Sequence, residues 1–167
     1  MRYTLPPHPQ KDCSMVKDRS KPLHLEDFTP GETFRTGSFT VNTALIREFA
    51  AFYDPQPMHL DEEAGRASLF GALVGSGWQT LALTMRLMVE ARFLGTTPII
   101  GAEFRDMRFA RPMRPGDILT AEAEILGIRP SRSRPERGFM DVRVITRNHK
   151  DEVLVEQTWT LLVPTRP

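Results

Sequence analysis

Residues 77–93 read GWQTLALTMRLMVEARF, and this stretch decides the fold. Trp78, Leu81, Ala82, Met85, Met88 and Val89 fall on one face at helical spacing. Leu83, Leu87 and, just beyond, Leu94 lie elsewhere around the same cylinder, and only Arg86, Glu90 and Arg92 carry charge. A helix that is apolar on most sides is a buried one, so other elements must wrap around it. The wrapper is legible downstream. Leu119, Ala121, Ala123 and Ile125 alternate with Thr120, Glu122 and Glu124. Met140, Val142 and Val144 alternate with Asp141 and Arg143, and Val153, Val155, Trp159, Leu161 and Val163 share one parity. Period-2 runs of this kind are strands with one buried face. Residues 101–110 and Thr33–Val41 are further strand candidates, and Pro115-Gly116-Asp117 and Asn148–Asp151 are turns. Helices followed by serial strands without long crossovers predict an antiparallel α+β domain, a curved sheet around one central helix.

Upstream of that helix, Asn42 or Thr43 caps a helix over about 43–53, which ends before Pro55. Pro57 is expected to keep the next residues extended, and a short helix follows over Asp61–Ala67. Residues 1–25, with Pro6, Pro7, Pro9 and Pro22, show no period and read as an N-terminal arm before a single domain at 26–167.

The chain has 167 residues, one domain's worth. Its 40% hydrophobic and 26% charged content is that of a globular protein. A net charge of +1 disfavours a broad nucleic-acid surface. Cys13 is the sole cysteine, so neither an intrachain disulfide nor a cysteine-based zinc site forms within one chain. No His/Asp/Glu cluster has ligand spacing, and no metal is expected. The start of the chain lacks an apolar signal core, which predicts a cytoplasmic protein. The charge-free run Ala67–Met85 is long enough for a membrane, but eight of its 19 residues are glycine or polar; a loop leading into a buried helix is the better reading.

Three features carry chemistry. In Asp54-Pro55-Gln56-Pro57-Met58-His59 a carboxylate and an imidazole sit five apart across two prolines. On one continuous helix they would point about 140° apart. With the helix ending at Asp54 they can converge, hold a water and move protons. Equally, Asp54 can cap a turn and His59 can be a loop residue. The second feature, Gly71–Trp78, puts glycines and a helix N-terminus together, suited to an oxyanion or phosphate, or simply to tight packing. Its spacing fits neither a P-loop, a dinucleotide fingerprint nor a nucleophile elbow. Third, Arg105, Arg108, Arg111, Arg114, Arg129, Arg132, Arg134 and Arg137 crowd one span: phosphate ligands, or a solvated face balanced by five acids.

Together these residues resemble the MaoC-like dehydratases, which include (R)-specific enoyl-CoA hydratases. The resemblance rests on Phe52-Tyr53-Asp54-Pro55-Gln56-Pro57-Met58-His59-Leu60-Asp61, on Ala64, Phe70-Gly71 and Ser76-Gly77-Trp78-Gln79-Thr80, and on Arg111-Pro112-Met113-Arg114-Pro115-Gly116-Asp117-Ile118-Leu119. It spans roughly residues 35–163. It implies a hot-dog fold, a homodimer or dimer of dimers, and reversible addition of water to a trans-2-enoyl-CoA. It implies Asp54 and His59 as the catalytic pair and the Gly77 N–H as the oxyanion donor. Gln56, Ser76, Trp78, Arg105 and Arg108 are then the candidate substrate contacts, with the pocket expected along Trp78, Leu81 and Met85. No cofactor is implied, because CoA belongs to the substrate, and neither a nucleic acid nor a membrane is an expected partner. Two positions depart from the pattern: Gln56 stands where the motif commonly has Asn, and Gln79 where many relatives carry His. A hot-dog thioesterase would use Asp54 and Gly77 and leave His59 spare. A non-catalytic acyl-CoA-binding subunit, or half of a heteromer, draws on Gln56 and Gln79.

Overall fold

The computed structural model describes residues 17–167. A 3-10 turn at Leu25–Asp27 leads to β1 (Thr33–Thr40), α1 (Thr43–Tyr53), α2 (Pro57–Leu60), α3 (Glu62–Ala67) and α4 (Gly77–Glu90). Then come β2 (Ile100–Phe109), β3 (Ile118–Pro130), β4 (Arg137–Arg147) and β5 (Val153–Pro164). The strands form one antiparallel sheet in the order β1-β3-β4-β5-β2. The register sets Ile125 beside Val142 and Val142 beside Trp159, so three inward side chains form one row across the sheet. Small Ala121 and Ala123 lie fully buried on β3, which lets α4 sit close to the sheet.

α4 does not bury the face that apolar counting selects. Its buried residues are Gln79, Thr80, Leu83, Thr84, Leu87 and Met88, whereas Trp78 is 64% and Val89 54% exposed. The reason is hydrogen bonding. Thr84 Oγ1 donates to the Thr80 carbonyl (2.8 Å) and lies 2.6 Å from Thr146 Oγ1, and Thr80 Oγ1 donates to the Ser76 carbonyl (3.3 Å). Satisfied hydroxyls are buried at little cost, and their small volume allows close approach. The helix also stops at Glu90 rather than Phe93, because Arg92 takes a positive φ of 53°.

The prolines act differently from expectation as well. Pro57 opens α2 instead of prolonging an extended segment: its missing N–H is harmless at a first helical position. Of the expected arm, residues 1–16, with Cys13, lie outside the described residues. Leu23 and Leu25 are buried in the core, and Pro22 forms a bridge to Gly95. Gly95 has φ +64°, and a Cβ there would collide with the Lys21 carbonyl, so this docking requires glycine. Packing against the core thus reaches back to Leu23. Among the described residues no helix is long and apolar enough to cross a membrane.

Candidate active site

The site is built where α1 ends. Asn42 caps α1 by accepting from the Leu45 N–H (2.8 Å), and the last turn closes with the Asp54 N–H donating to the Ala50 carbonyl (3.0 Å). Pro55 cannot continue the helix, and the chain folds back through Gln56 into the single turn of α2. This reversal brings the two ends of the motif together: Asp54 Oδ2 lies 3.4 Å from His59 Nε2. The imidazole is buried, and its Nδ1 lies 2.8 Å from the Val74 carbonyl. A carbonyl only accepts, so Nδ1 carries the proton, and in the neutral form of the ring Nε2 turns a lone pair toward Asp54.

Asp54 is held by two donors. Ser76 Oγ donates to Oδ2 (2.6 Å), and Gln56 Nε2 donates to Oδ1 (2.8 Å). These bonds, Ser76 first, hold the carboxyl below its ordinary pKa; the nearby His59 adds to them and partial burial opposes. An ionised Oδ2 and an unprotonated Nε2 are both acceptors, so they do not bond each other. A water about 2.8 Å from each can donate one hydrogen to each and leave its lone pairs free.

The other wall is the start of α4. Ser76 is its N-cap: the hydroxyl that donates to Asp54 also accepts from the Trp78 N–H (3.2 Å). The loop before it is pinned by the Gly75 N–H donating to the Met113 carbonyl (2.8 Å). Gly77 is the first helical residue, and among the described residues its N–H has no acceptor. Such an N–H, at the positive end of the helix dipole, suits a developing oxyanion. A Cβ on Gly77 would lie 2.8 Å from the Phe109 ring, so glycine lets that ring cover the helix start.

Asp54, Gln56, His59, Ser76, Gly77 and Trp78 line one cavity of about 440 Å³. Arg105 and Arg108 do not border it. Arg105 bonds Thr160 Oγ1 (2.6 Å) and pairs with Asp141 (3.5 Å), and Arg108 is exposed on β2. Density of arginines carries no information about the side of a strand on which each emerges. Leu81 and Met85 also lie outside the cavity wall. Phe70, Phe109, Arg111 and Met113 are among the residues that line it instead. Arg111 belongs to the Pro-Gly-Asp segment, which was the available signal. Of the two departures, Gln56 still grips Asp54, and Gln79 is buried away from the cavity with its Nε2 donating to the Leu45 carbonyl (2.8 Å), joining α4 to α1. Among the described residues no three His, Cys, Asp or Glu side chains cluster as metal ligands.

Comparison with known proteins agrees with this geometry. The MaoC like domain matches residues 27–148. An uncharacterised Bacillus subtilis protein, YdeM, is 36% identical over 141 residues, which covers 84% of this chain and 99% of that one. The crystal structure of a MaoC-like dehydratase from Rhodospirillum rubrum is similar at a TM-score of 0.81 and 44% identity, covering 87% of this chain and 99% of that one. The (R)-hydratase PhaJ1 of Pseudomonas aeruginosa shares the fold at a TM-score of 0.69 and 23% identity, covering 87% and 88%. The sheet wrapped on α4 is thus a hot-dog fold. The match runs through every segment that builds the cavity, from Asp54 to Met113, and the chain belongs to the MaoC-like dehydratase family.

Proposed function

We propose that the protein is a hydro-lyase that reversibly adds water to a trans-2-enoyl-CoA and gives an (R)-3-hydroxyacyl-CoA. The supporting observation is the convergence of Asp54, His59 and the free Gly77 N–H on one cavity. Water between Oδ2 and Nε2 attacks C3 of the enoyl group. His59 Nε2 takes its proton, because Asp54, stabilised as an anion, is the weaker base. Electron density moves through the conjugated system to the thioester oxygen, where the Gly77 N–H receives it. One donor of this kind is worth about 10²–10³ in rate. The imidazolium returns a proton to C2, and the carboxylate 3.4 Å away stabilises it meanwhile. The reaction needs no cofactor. Thioester hydrolysis would need Asp54 and Gly77 alone; the buried, tautomer-locked His59 favours hydration.

We also infer a homodimer, alone or as a dimer of dimers. β2 is an edge strand with Ile100, Phe104 and Phe109 about half exposed, and edges of this kind are usually covered. Light scattering after size exclusion checks it; a monomer at micromolar concentration refutes it.

The test of function follows the loss of conjugated thioester absorbance with short, medium and branched enoyl-CoAs, then chiral analysis. Turnover to the (R) product that is lost in Asp54→Asn and in His59→Ala is expected. Full activity in both variants overturns the assignment. Binding without turnover on any substrate moves the reading to a binding subunit or half of a heteromer.

A further inference from the structure

The crowded arginines sort by what they face. Arg105 and Arg129 both reach Asp141, at 3.5 and 2.8 Å. Arg111 and Arg114 are different: both leave the loop between β2 and β3, beside Phe70. Arg111 borders the catalytic cavity with its side chain 60% exposed, and its carboxylate neighbour, Glu152, is 3.6 Å away. Glu152 itself accepts from Asn148 Nδ2 (2.9 Å), so it has a second partner. Arg114 donates to the Phe70 carbonyl (3.0 Å) and borders an adjoining cleft of about 490 Å³ with Arg66 and Gly71. Among the described residues neither Arg66 nor Arg114 has a carboxylate within 4.0 Å. Glu62, also on the cleft, is paired with Arg47 at 3.2 Å.

The loop that carries both arginines is anchored at every step. Met113 is buried and its carbonyl accepts from Gly75. The Arg114 N–H donates to Asp117 Oδ2 (2.7 Å), whose other oxygen accepts from Asn148 Nδ2 (3.1 Å). The Gly116 N–H donates to the Val41 carbonyl (2.8 Å). Two guanidinium groups thus project from a fixed base beside the cavity, Arg111 with one carboxylate at 3.6 Å and Arg114, among the described residues, with none within 4.0 Å, and guanidinium is the side chain best matched to bidentate phosphate binding.

We propose that Arg111 and Arg114, with Arg66 of the adjoining cleft, hold the phosphate of a phosphorylated pantetheine thioester at the cavity mouth while its thioester reaches Gly77. This rests on the hydratase reading and adds how the carrier is chosen. A free CoA and a carrier-protein phosphopantetheine share the phosphate chemistry.

The test compares enoyl-CoA, an enoyl-carrier-protein thioester and the phosphate-free enoyl-N-acetylcysteamine thioester on wild type, Arg111→Gln, Arg114→Gln and the double variant. Wild type prefers the phosphorylated substrates in kcat/KM. Each single variant lowers that preference about tenfold through KM, in line with loss of a charge-assisted hydrogen bond. Arg108→Gln, exposed and away from the cavity, is the control and keeps the preference. Dependence with CoA and carrier protein alike marks the pantetheine phosphate as the group held and supports the proposal; dependence with CoA alone places the contact at the nucleotide end and overturns it. Equal loss on all three substrates overturns it. Should wild type turn over none of them, the hydratase reading fails by itself, and titration calorimetry with CoA decides the arginines. Weaker CoA binding in the variants upholds their role, and equal or absent binding refutes it.

Discussion

Ser76→Ala separates a catalytic arrangement from mere packing. The Ser76 hydroxyl donates to Asp54 Oδ2 at 2.6 Å and accepts from the Trp78 N–H at 3.2 Å. A hydrogen bond to a charged group contributes about 1.5–3 kcal/mol, and an N-cap about 1 kcal/mol. The Asp54 side chain keeps 16% of its exposure, so water replaces part of the first contribution. The expected destabilisation is about 2 kcal/mol at neutral pH, read as a shift of the urea midpoint. Ser76 also dominates the lowering of the Asp54 pKa, so the variant's carboxyl titrates closer to its ordinary 3.8. The sign follows. A depressed folded-state pKa contributes stability that is fully present above the unfolded value and is lost as pH falls through the folded value. The stability gap between wild type and Ser76→Ala therefore narrows on acidification below about pH 4. Carbon-detected NMR of the Asp54 carboxyl and urea titrations along a pH series measure both effects. A turnover loss of about tenfold accompanies them, because Gln56 still holds one carboxylate oxygen. An unmoved Asp54 midpoint, or a stability gap independent of pH, refutes the reasoning.

Gly77→Ala brings a methyl group against the Phe109 ring, so kcat falls; adding Phe109→Ala restores part of it in the same steady-state assay. Restoration of nothing shows that the ring is not the obstacle. Thr84→Val leaves the Thr146 hydroxyl buried without its partner and costs about 1–3 kcal/mol by urea unfolding. Thr146→Val costs less, since Thr84 keeps its bond to the Thr80 carbonyl; equal costs contradict the hydrogen-bond account of the α4 face. Gln56→Ala raises the Asp54 titration midpoint less than Ser76→Ala does, and the reverse order in the NMR titration refutes the assignment of the stronger donor.

Much of the fold was legible because strands and caps obey local rules. The alternation in β3 and β4 names the buried face, and the strict buried-every-second pattern of β4 bears this out, whereas β5, a central strand, also buries Leu154, Thr158 and Thr160 of the opposite parity. Helix α1 starts after its capping Asn42 and ends at Tyr53, ahead of Pro55, both short-range effects. The burial of α4 was equally plain, but not its orientation. Apolar periodicity favoured the Trp78–Val89 stripe, whereas paired threonine hydroxyls turned the Thr80–Thr84 stripe to the sheet.

The site divides along the same line. Spacing and resemblance named Asp54, His59 and Gly77, since prolines and glycines constrain the chain locally. What only the tertiary structure decided is how those groups are poised. Val74, 15 residues from His59, sets the imidazole tautomer, and Ser76, 22 residues from Asp54, holds the carboxylate. The arginines make the same point. Arg105 and Arg111 look alike in sequence and each has a carboxylate about as near, yet Arg105 lies against Asp141 of β4 and away from the cavity, whereas Arg111 borders it. Local rules act through backbone torsions and neighbouring side chains. Protonation state and charge pairing depend on whichever atoms arrive within a few ångströms, and that is a property of the folded chain alone.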